Sequence, residues 1–257
     1  MSRKKNMYNE LKNALGASDA SCEYAELLLR CHISEHTTET DIKSMSEYTG
    51  IKLNSFDIGT LEKHLRYGYF VAIQQHFELF LHSLIKEINR YCSSTINHAN
   101  EKSLLCEAYS SVFPSMKKNS SAYYLYCICD YYRTVRNEGA HGNEKGLAIK
   151  AYTALSTLSD ELAPFRGKLQ APNPPDRLEF DDFVFYTRAV KLLAKEMLDN
   201  LHYSPELIAE NYSVDRIRKM KNSPEQCRRY LHNDLKIEFG LTPEMLTEVI
   251  DKILKRL

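Results

Sequence analysis

Apolar residues recur at three- and four-residue steps along most of this chain, the period of an amphipathic helix. The strongest run covers residues 61–91, where Phe70, Ile73, Phe77, Phe80, Leu81, Leu84 and Ile88 form one stripe. Residues 102–113 predict a short helix that Pro114 closes. The next helix is expected from about Ser120, with Leu125, Ile128, Cys129, Tyr132 and Val135 on one face. Leu147, Ala151, Leu155, Leu158 and Leu162 continue the pattern until Pro164, Gly167, Pro172, Pro174 and Pro175 break it. Phe180, Phe183, Val184, Thr187, Val190, Ala194, Met197 and Leu201 restore it.

The flanks are helical too. Residues 1–50 read as helices with a polar break from His32 to Asp41, and Leu27, Leu28 and Leu29 predict a packed face. Residues 48–59 read as a connector, with a brief strand-like alternation at Ile51 and Leu53. Ser204-Pro205-Glu206, Ser223-Pro224-Glu225 and Thr242-Pro243-Glu244 share one start signal: a hydroxyl N-cap, proline at the first helical position, and a carboxylate near the positive helix end. Residues 204–257 therefore read as three short helices. Met245, Val249, Ile250, Ile253 and Leu254 give the last an apolar face, to be packed on the bundle, on a second copy or on a partner. The pattern as a whole is all-α, divided into an N-terminal extension and connector (1–59), a helical bundle (60–203) and a C-terminal extension (204–257).

Composition narrows the class. At 257 residues, 43% hydrophobic and 26% charged, the chain can bury a full core. No apolar run approaches the length of a membrane span, and no apolar signal core follows Met1-Ser2-Arg3-Lys4-Lys5. Seven cysteines without a framework read as reduced thiols of a cytoplasmic protein. Cys127 and Cys129 are too close for a zinc knuckle, so neither metal nor cofactor is expected. Zero net charge argues against a broad nucleic-acid coat. It leaves room for a local basic patch at Arg216, Arg218, Lys219, Lys221, Arg228 and Arg229, which reads either as a phosphate track or as a solvated helix face.

Chemistry concentrates in Tyr131-Tyr132-Arg133-Thr134-Val135-Arg136-Asn137-Glu138-Gly139-Ala140-His141-Gly142-Asn143. A permanent cation, an amide and an imidazole lie within six residues. With 14 arginines and 9 histidines, about half a match to Arg-x4-His is expected by chance, so context must decide. Arg30 and His36 match a looser spacing, but Cys31 follows Arg30 and the pair precedes the bundle. Arg136 is followed by polar Asn137, His141 by contrast follows small Ala140, and helical patterns flank both. On a regular helix these two positions differ by about 140° around the axis. Gly139, Gly142 and Gly146 predict that the helix ends or distorts there. Tyr123, Tyr124, Tyr126 and Tyr131 offer either base-stacking faces or core and interface surface.

Arg136, Asn137 and His141 in this setting resemble the Arg-x4–6-His motif of the HEPN superfamily, over about residues 60–200. The resemblance implies a HEPN-like antiparallel helical bundle with helical extensions. It also implies a metal-independent endoribonuclease working in a homodimeric cleft, in a microbial toxin or anti-phage role. Arg136 would stabilise the phosphorane, His141 would transfer protons, and Asn137 would donate a positioning hydrogen bond. Glu78 on the preceding long helix would orient Arg136 or His141. Arg133, Arg216, Arg218, Lys219, Arg228 and Arg229 would contact RNA. RNA, a second copy of the chain, and an antitoxin or sensor protein are the expected partners. The position two residues after the histidine holds Asn143, where HEPN toxins modified by a nucleotidyltransferase antitoxin often carry tyrosine. Two other readings stay open: a catalytically silent HEPN-fold binding or scaffold module, and an unrelated helical adaptor.

Overall fold

A computed structural model describes residues 1–32, 38–52, 57–96, 102–115, 117–141, 146–218 and 223–256, with backbone alone at His32, Glu39, Ile58, Ala140, His141 and Arg216. The described residues are helical and contain no strand. The order is α1 (Arg3–His32), α2 (Glu39–Thr49), α3 (Ile58–Tyr91), α4 (Leu104–Val112), α5 (Ser121–His141), α6 (Leu147–Ser156), α7 (Ser159–Arg166), α8 (Phe180–Asp199), α9 (Pro205–Asn211), α10 (Asp215–Arg218), α11 (Pro224–Phe239) and α12 (Pro243–Leu254). None is long and apolar enough to cross a membrane.

Most predicted elements form for the predicted reasons. All seven stripe residues of α3 are buried, each worth roughly 2 kcal/mol of transfer free energy. The five apolar residues predicted on one face of α5 are buried as well. Ser204 and Thr242 accept the backbone N–H groups of Leu207 and Met245, as capping hydroxyls should. Ser223 starts α11 without that bond.

Four expectations change. Ile51 is exposed and not in a strand, while Leu53 lies outside the described residues. Of Leu27, Leu28 and Leu29, only Leu29 is buried; the buried side of α1 runs through Leu11, Leu15, Cys22, Glu26 and Leu29. Pro164 sits inside α7, so the expected break starts at Gly167 and runs to α8, and a further short break separates α6 from α7. Finally, Gly139 stays helical within α5, which is described as far as His141, while Gly142 lies outside the described residues.

The chain forms two compact units, each assembled from separated stretches. The first takes residues 1–12, 77–123 and 192–257. Among the described residues its interior holds one carboxylate, Glu87, 5% exposed. Arg3 grips it through Nε and Nη2 at 2.8 and 2.9 Å, and the Tyr203 hydroxyl donates to it at 2.9 Å. Arg3 also lies over the rings of Tyr91 and Phe239 and reaches Glu238 at 2.7 Å. Arg3, itself partly exposed, thereby neutralises the buried carboxylate of this unit. Helix α12 packs on α9 and α11, with Leu246, Val249, Ile250 and Ile253 buried, which answers where its apolar face goes.

The second unit takes residues 13–76 and 124–191. Phe70, Tyr132 and Tyr186 stack at its centre, with ring centroids 5.0 to 6.2 Å apart. Beside them Asp182 is fully buried. It accepts four hydrogen bonds: from the Tyr132 hydroxyl (2.7 Å), the Asn173 backbone N–H and side-chain amide (2.8 Å each), and the Glu179 N–H (2.9 Å). The last closes the first turn of α8 as a capping carboxylate does. The same oxygens tie the proline-rich segment before α8 to the core, and Tyr131 adds a bond to the Asn173 carbonyl at 2.5 Å. The tyrosines at 131 and 132 are core residues, whereas Tyr123, Tyr124 and Tyr126 are half-buried.

Two outcomes follow. Asp182→Ala leaves four donors facing an empty site and should cost about 3 kcal/mol or more in urea unfolding; a loss below about 1 kcal/mol would contradict this account. Burial raises the Cys22 thiol to about 11, the Cys92 thiol to about 12 and the Tyr69 hydroxyl to about 12, against ordinary values of 9.0 for the thiol and 10.0 for the phenol. The folded state holds these protons more tightly than the unfolded chain does. Their stabilisation is therefore complete below about pH 9 and is lost as pH climbs toward 12. The urea midpoint should be flat from pH 7 to 8.5 and should fall steadily above pH 9.5.

Candidate functional site

The motif rides on the last turns of α5, one turn beyond Tyr132. Because the Tyr132 hydroxyl is fixed on Asp182 and the ring is stacked, the helix enters the motif from a rigid base. Burial holds that hydroxyl well above its ordinary pKa, with the Asp182 charge acting in the same direction, so it remains a donor.

Arg136 is half-buried, and its Nη1 donates to the Asn137 side-chain oxygen at 3.0 Å. The expected neighbours Arg136 and Asn137 are thus brought together directly. His141 continues the helix; its side chain lies outside the description, as does Asn143. Arg133 turns to Asp130 within its own helix, at 2.8 Å.

The side chain that reaches this turn from α3 is Tyr67. Its hydroxyl donates to the backbone carbonyl of Arg136, and the guanidinium of Arg136 opposes the upward pull of burial on that phenol. The Tyr67 ring lies flush against the backbone of Gly139. A Cβ at 139 would fall inside van der Waals contact with the ring edge and its hydroxyl oxygen. Glycine is therefore required here by a close approach, not by a turn. Glu78, expected to orient the motif, is half-buried eleven residues farther along α3 and belongs to the first unit.

Glu138 has a structural task. It accepts the backbone N–H of Leu147 at 2.6 Å and so caps α6, whose own N-cap, Gly146, has no side chain to offer. One motif residue thus fixes the start of the following helix.

Tyr67, Val135, Glu138 and Gly139 line one side of a cavity of about 760 Å³ within the second unit. Gly59, Glu62, Lys63, His64 and Arg66 of α3, Gly146, and residues 175–179 before α8 complete it. Of its charges, Arg66 is engaged with Glu26 (3.1 Å) and Glu179 (2.6 Å). His64 is exposed at this cavity, His82 is exposed elsewhere, and His76 is half-buried against the Ser18 hydroxyl at 2.8 Å.

The basic patch of the C-terminal helices is described in part. Lys219 and Lys221 and the Arg216 side chain lie outside the description. Arg218 approaches Asp215 at 4.0 Å, and Arg228 pairs with Asp251 at 2.8 Å. Arg229 is exposed. Of the alternative pair, Arg30 is bonded to Glu26 at 2.9 Å, and His36 lies outside the described residues. Among the described residues no three His, Cys, Asp or Glu side chains gather as a metal site.

The chain matches no protein-family profile, no curated protein and no solved structure.

The pairing of Tyr67 with Gly139 carries no local pattern, because 72 positions separate the two. Their coupling is measurable. At an open helical site Gly→Ala stabilises by about 0.5–1 kcal/mol. Gly139→Ala should instead destabilise by about 1–2 kcal/mol, since the Tyr67 ring must swing away and give up its hydrogen bond. In a Tyr67→Ala background the same change should become stabilising. A stabilising Gly139→Ala with Tyr67 in place would show that the close approach is not real.

Proposed function

We propose that this protein is a metal-independent endoribonuclease of the HEPN type, active as a homodimer. The observation that carries the reading is the Arg136–Asn137 pair, held half-buried on a braced helix end that also carries His141 and borders a large cavity.

The chemistry follows from the residue types. The ribose 2′-oxygen attacks the adjacent phosphorus, and its proton passes to a base. The bond from phosphorus to the 5′-oxygen breaks, and that oxygen takes a proton from an acid. The products are a 2′,3′-cyclic phosphate and a 5′-hydroxyl. Imidazole exchanges protons near neutral pH, which suits His141 to this work. Arg136 stays protonated and presents a planar fork of donors to the phosphorane. Asn137, bonded to Arg136, limits the rotamers of that fork and can donate to a phosphate oxygen.

Helical backbone through residue 141 supports the dimeric form of this reading. Positions 136 and 141 stand about 140° apart around one axis. Two motifs facing each other across a two-fold axis would supply both groups to one phosphate. The binding-module reading is favoured by one observation, the engagement of Arg228 by Asp251 in the presumed RNA patch. Cleavage decides between the two.

Purified protein in excess EDTA should cut single-stranded RNA and leave cyclic phosphate ends, while DNA of the same sequence stays intact. Arg136→Ala and His141→Ala, verified as folded, should each lower the rate at least about 100-fold. Undiminished cleavage by His141→Ala would end the assignment of that residue. A folded dimer that cuts no RNA would favour the binding module.

A further inference from the structure

We infer that the cavity between α3, the end of α5 and the segment before α8 is a nucleotide subsite, receiving the base and phosphate next to the scissile bond. The inference rests on the ribonuclease reading and assigns that site its substrate contacts.

Size and place come first. A volume of about 760 Å³ falls within the 300–1,000 Å³ typical of small-molecule sites and suits one nucleotide. Val135 and Gly139 in its wall flank Arg136 and Asn137 on the same helical turns, so a chain that leaves the cavity passes the motif at once.

The lining fits a nucleotide better than a purely apolar or purely ionic ligand. Tyr67, Pro175 and Leu178 offer flat and apolar surface for a base face. Two cations stand at the mouth. Lys63 is exposed on α3, and Arg177 is 80% exposed with only a loose contact to Asp176 at 3.9 Å. Among the other charged groups of the lining, Arg66 joins Glu26 to Glu179, Glu138 caps α6, and Asp176 is exposed beside Arg177. Lys63 and Arg177 are thus placed to meet a phosphate. Glu62 is half-buried in the wall, and a carboxylate there accepts hydrogen bonds from an amino-bearing base edge. Adenine, guanine and cytosine carry such a donor; uracil lacks the exocyclic amine.

The test uses the full chain and a fluorescent 2′-O-methyl oligoribonucleotide, which has no free 2′-hydroxyl to attack and stays whole. Lys63→Glu combined with Arg177→Glu should weaken binding at least tenfold. It should also lower the log–log salt slope by about two, one for each phosphate cation lost. Lys150→Glu, an exposed charge reversal on α6 outside the cavity, should bind as the parent does. Competition by nucleoside 3′-monophosphates should rank AMP, GMP and CMP above UMP, and Glu62→Gln should flatten the ranking. If the parent cuts RNA while the double variant binds and cuts with unchanged KM, the subsite is wrong and the nuclease reading stands. If the double variant loses binding while the parent cuts no RNA, the subsite stands and the nuclease reading falls. Equal losses in the double variant and Lys150→Glu would mean diffuse electrostatics and would overturn the subsite.

Discussion

A buried carboxylate must have its lone pairs filled, and in the second unit that requirement falls on Asp182. Its four donors come from α5, from the loop at Asn173 and from the start of α8. Satisfying them fixes three things together. The Tyr132 hydroxyl is held, and with it the helix that presents Arg136 one turn later. The proline-rich segment is pinned to the core, and with it the cavity wall at residues 175–179. The first turn of α8 is closed. A single side chain thus aligns the motif helix and the neighbouring wall, because leaving any of those donors unmet costs more than the order they impose.

The first unit solves the same problem with a different set. Glu87 is buried, and a bidentate arginine plus a tyrosine hydroxyl complete its coordination. The guanidinium in turn lies over the rings of Tyr91 and Phe239. A partly exposed arginine thus neutralises a buried carboxylate. Buried carboxylates in both units are therefore met by hydrogen-bond donors: Glu87 in the first, Asp182 and Glu26 in the second.

The motif itself is braced in an unusual way. Tyr67 contributes a hydrogen bond to the Arg136 carbonyl and a ring against Gly139, while Glu138 reaches forward to α6. Within four residues, three are held through backbone or capping contacts, and Arg136 and Asn137 hold each other. Such bracing restricts motion at a helix end, where fraying is otherwise the rule. Preorganised cations of this kind are what phosphoryl chemistry needs.

Helix type, helix starts and the residues of the motif were legible in the sequence because each is local. A stripe at three- and four-residue steps, or a Ser-Pro-Glu start, acts within one or two turns. The burial of Phe70, Ile73 and Phe77 and the caps at Ser204 and Thr242 follow from that alone. Polar pairing is different in kind. Tyr67 meets Gly139 across 72 positions, Tyr132 meets Asp182 across 50, and Arg3 meets Glu87 across 84. No local periodicity encodes such pairs. Glycine at 139 read as a helix breaker, yet an aromatic ring from another helix needs its bare backbone and the helix runs on. The sequence determined an all-helical chain and the chemistry available at residues 136–141. Only the tertiary structure decided which charges are structural and which remain at a cavity mouth, because hydrogen-bond satisfaction belongs to groups that folding brings together.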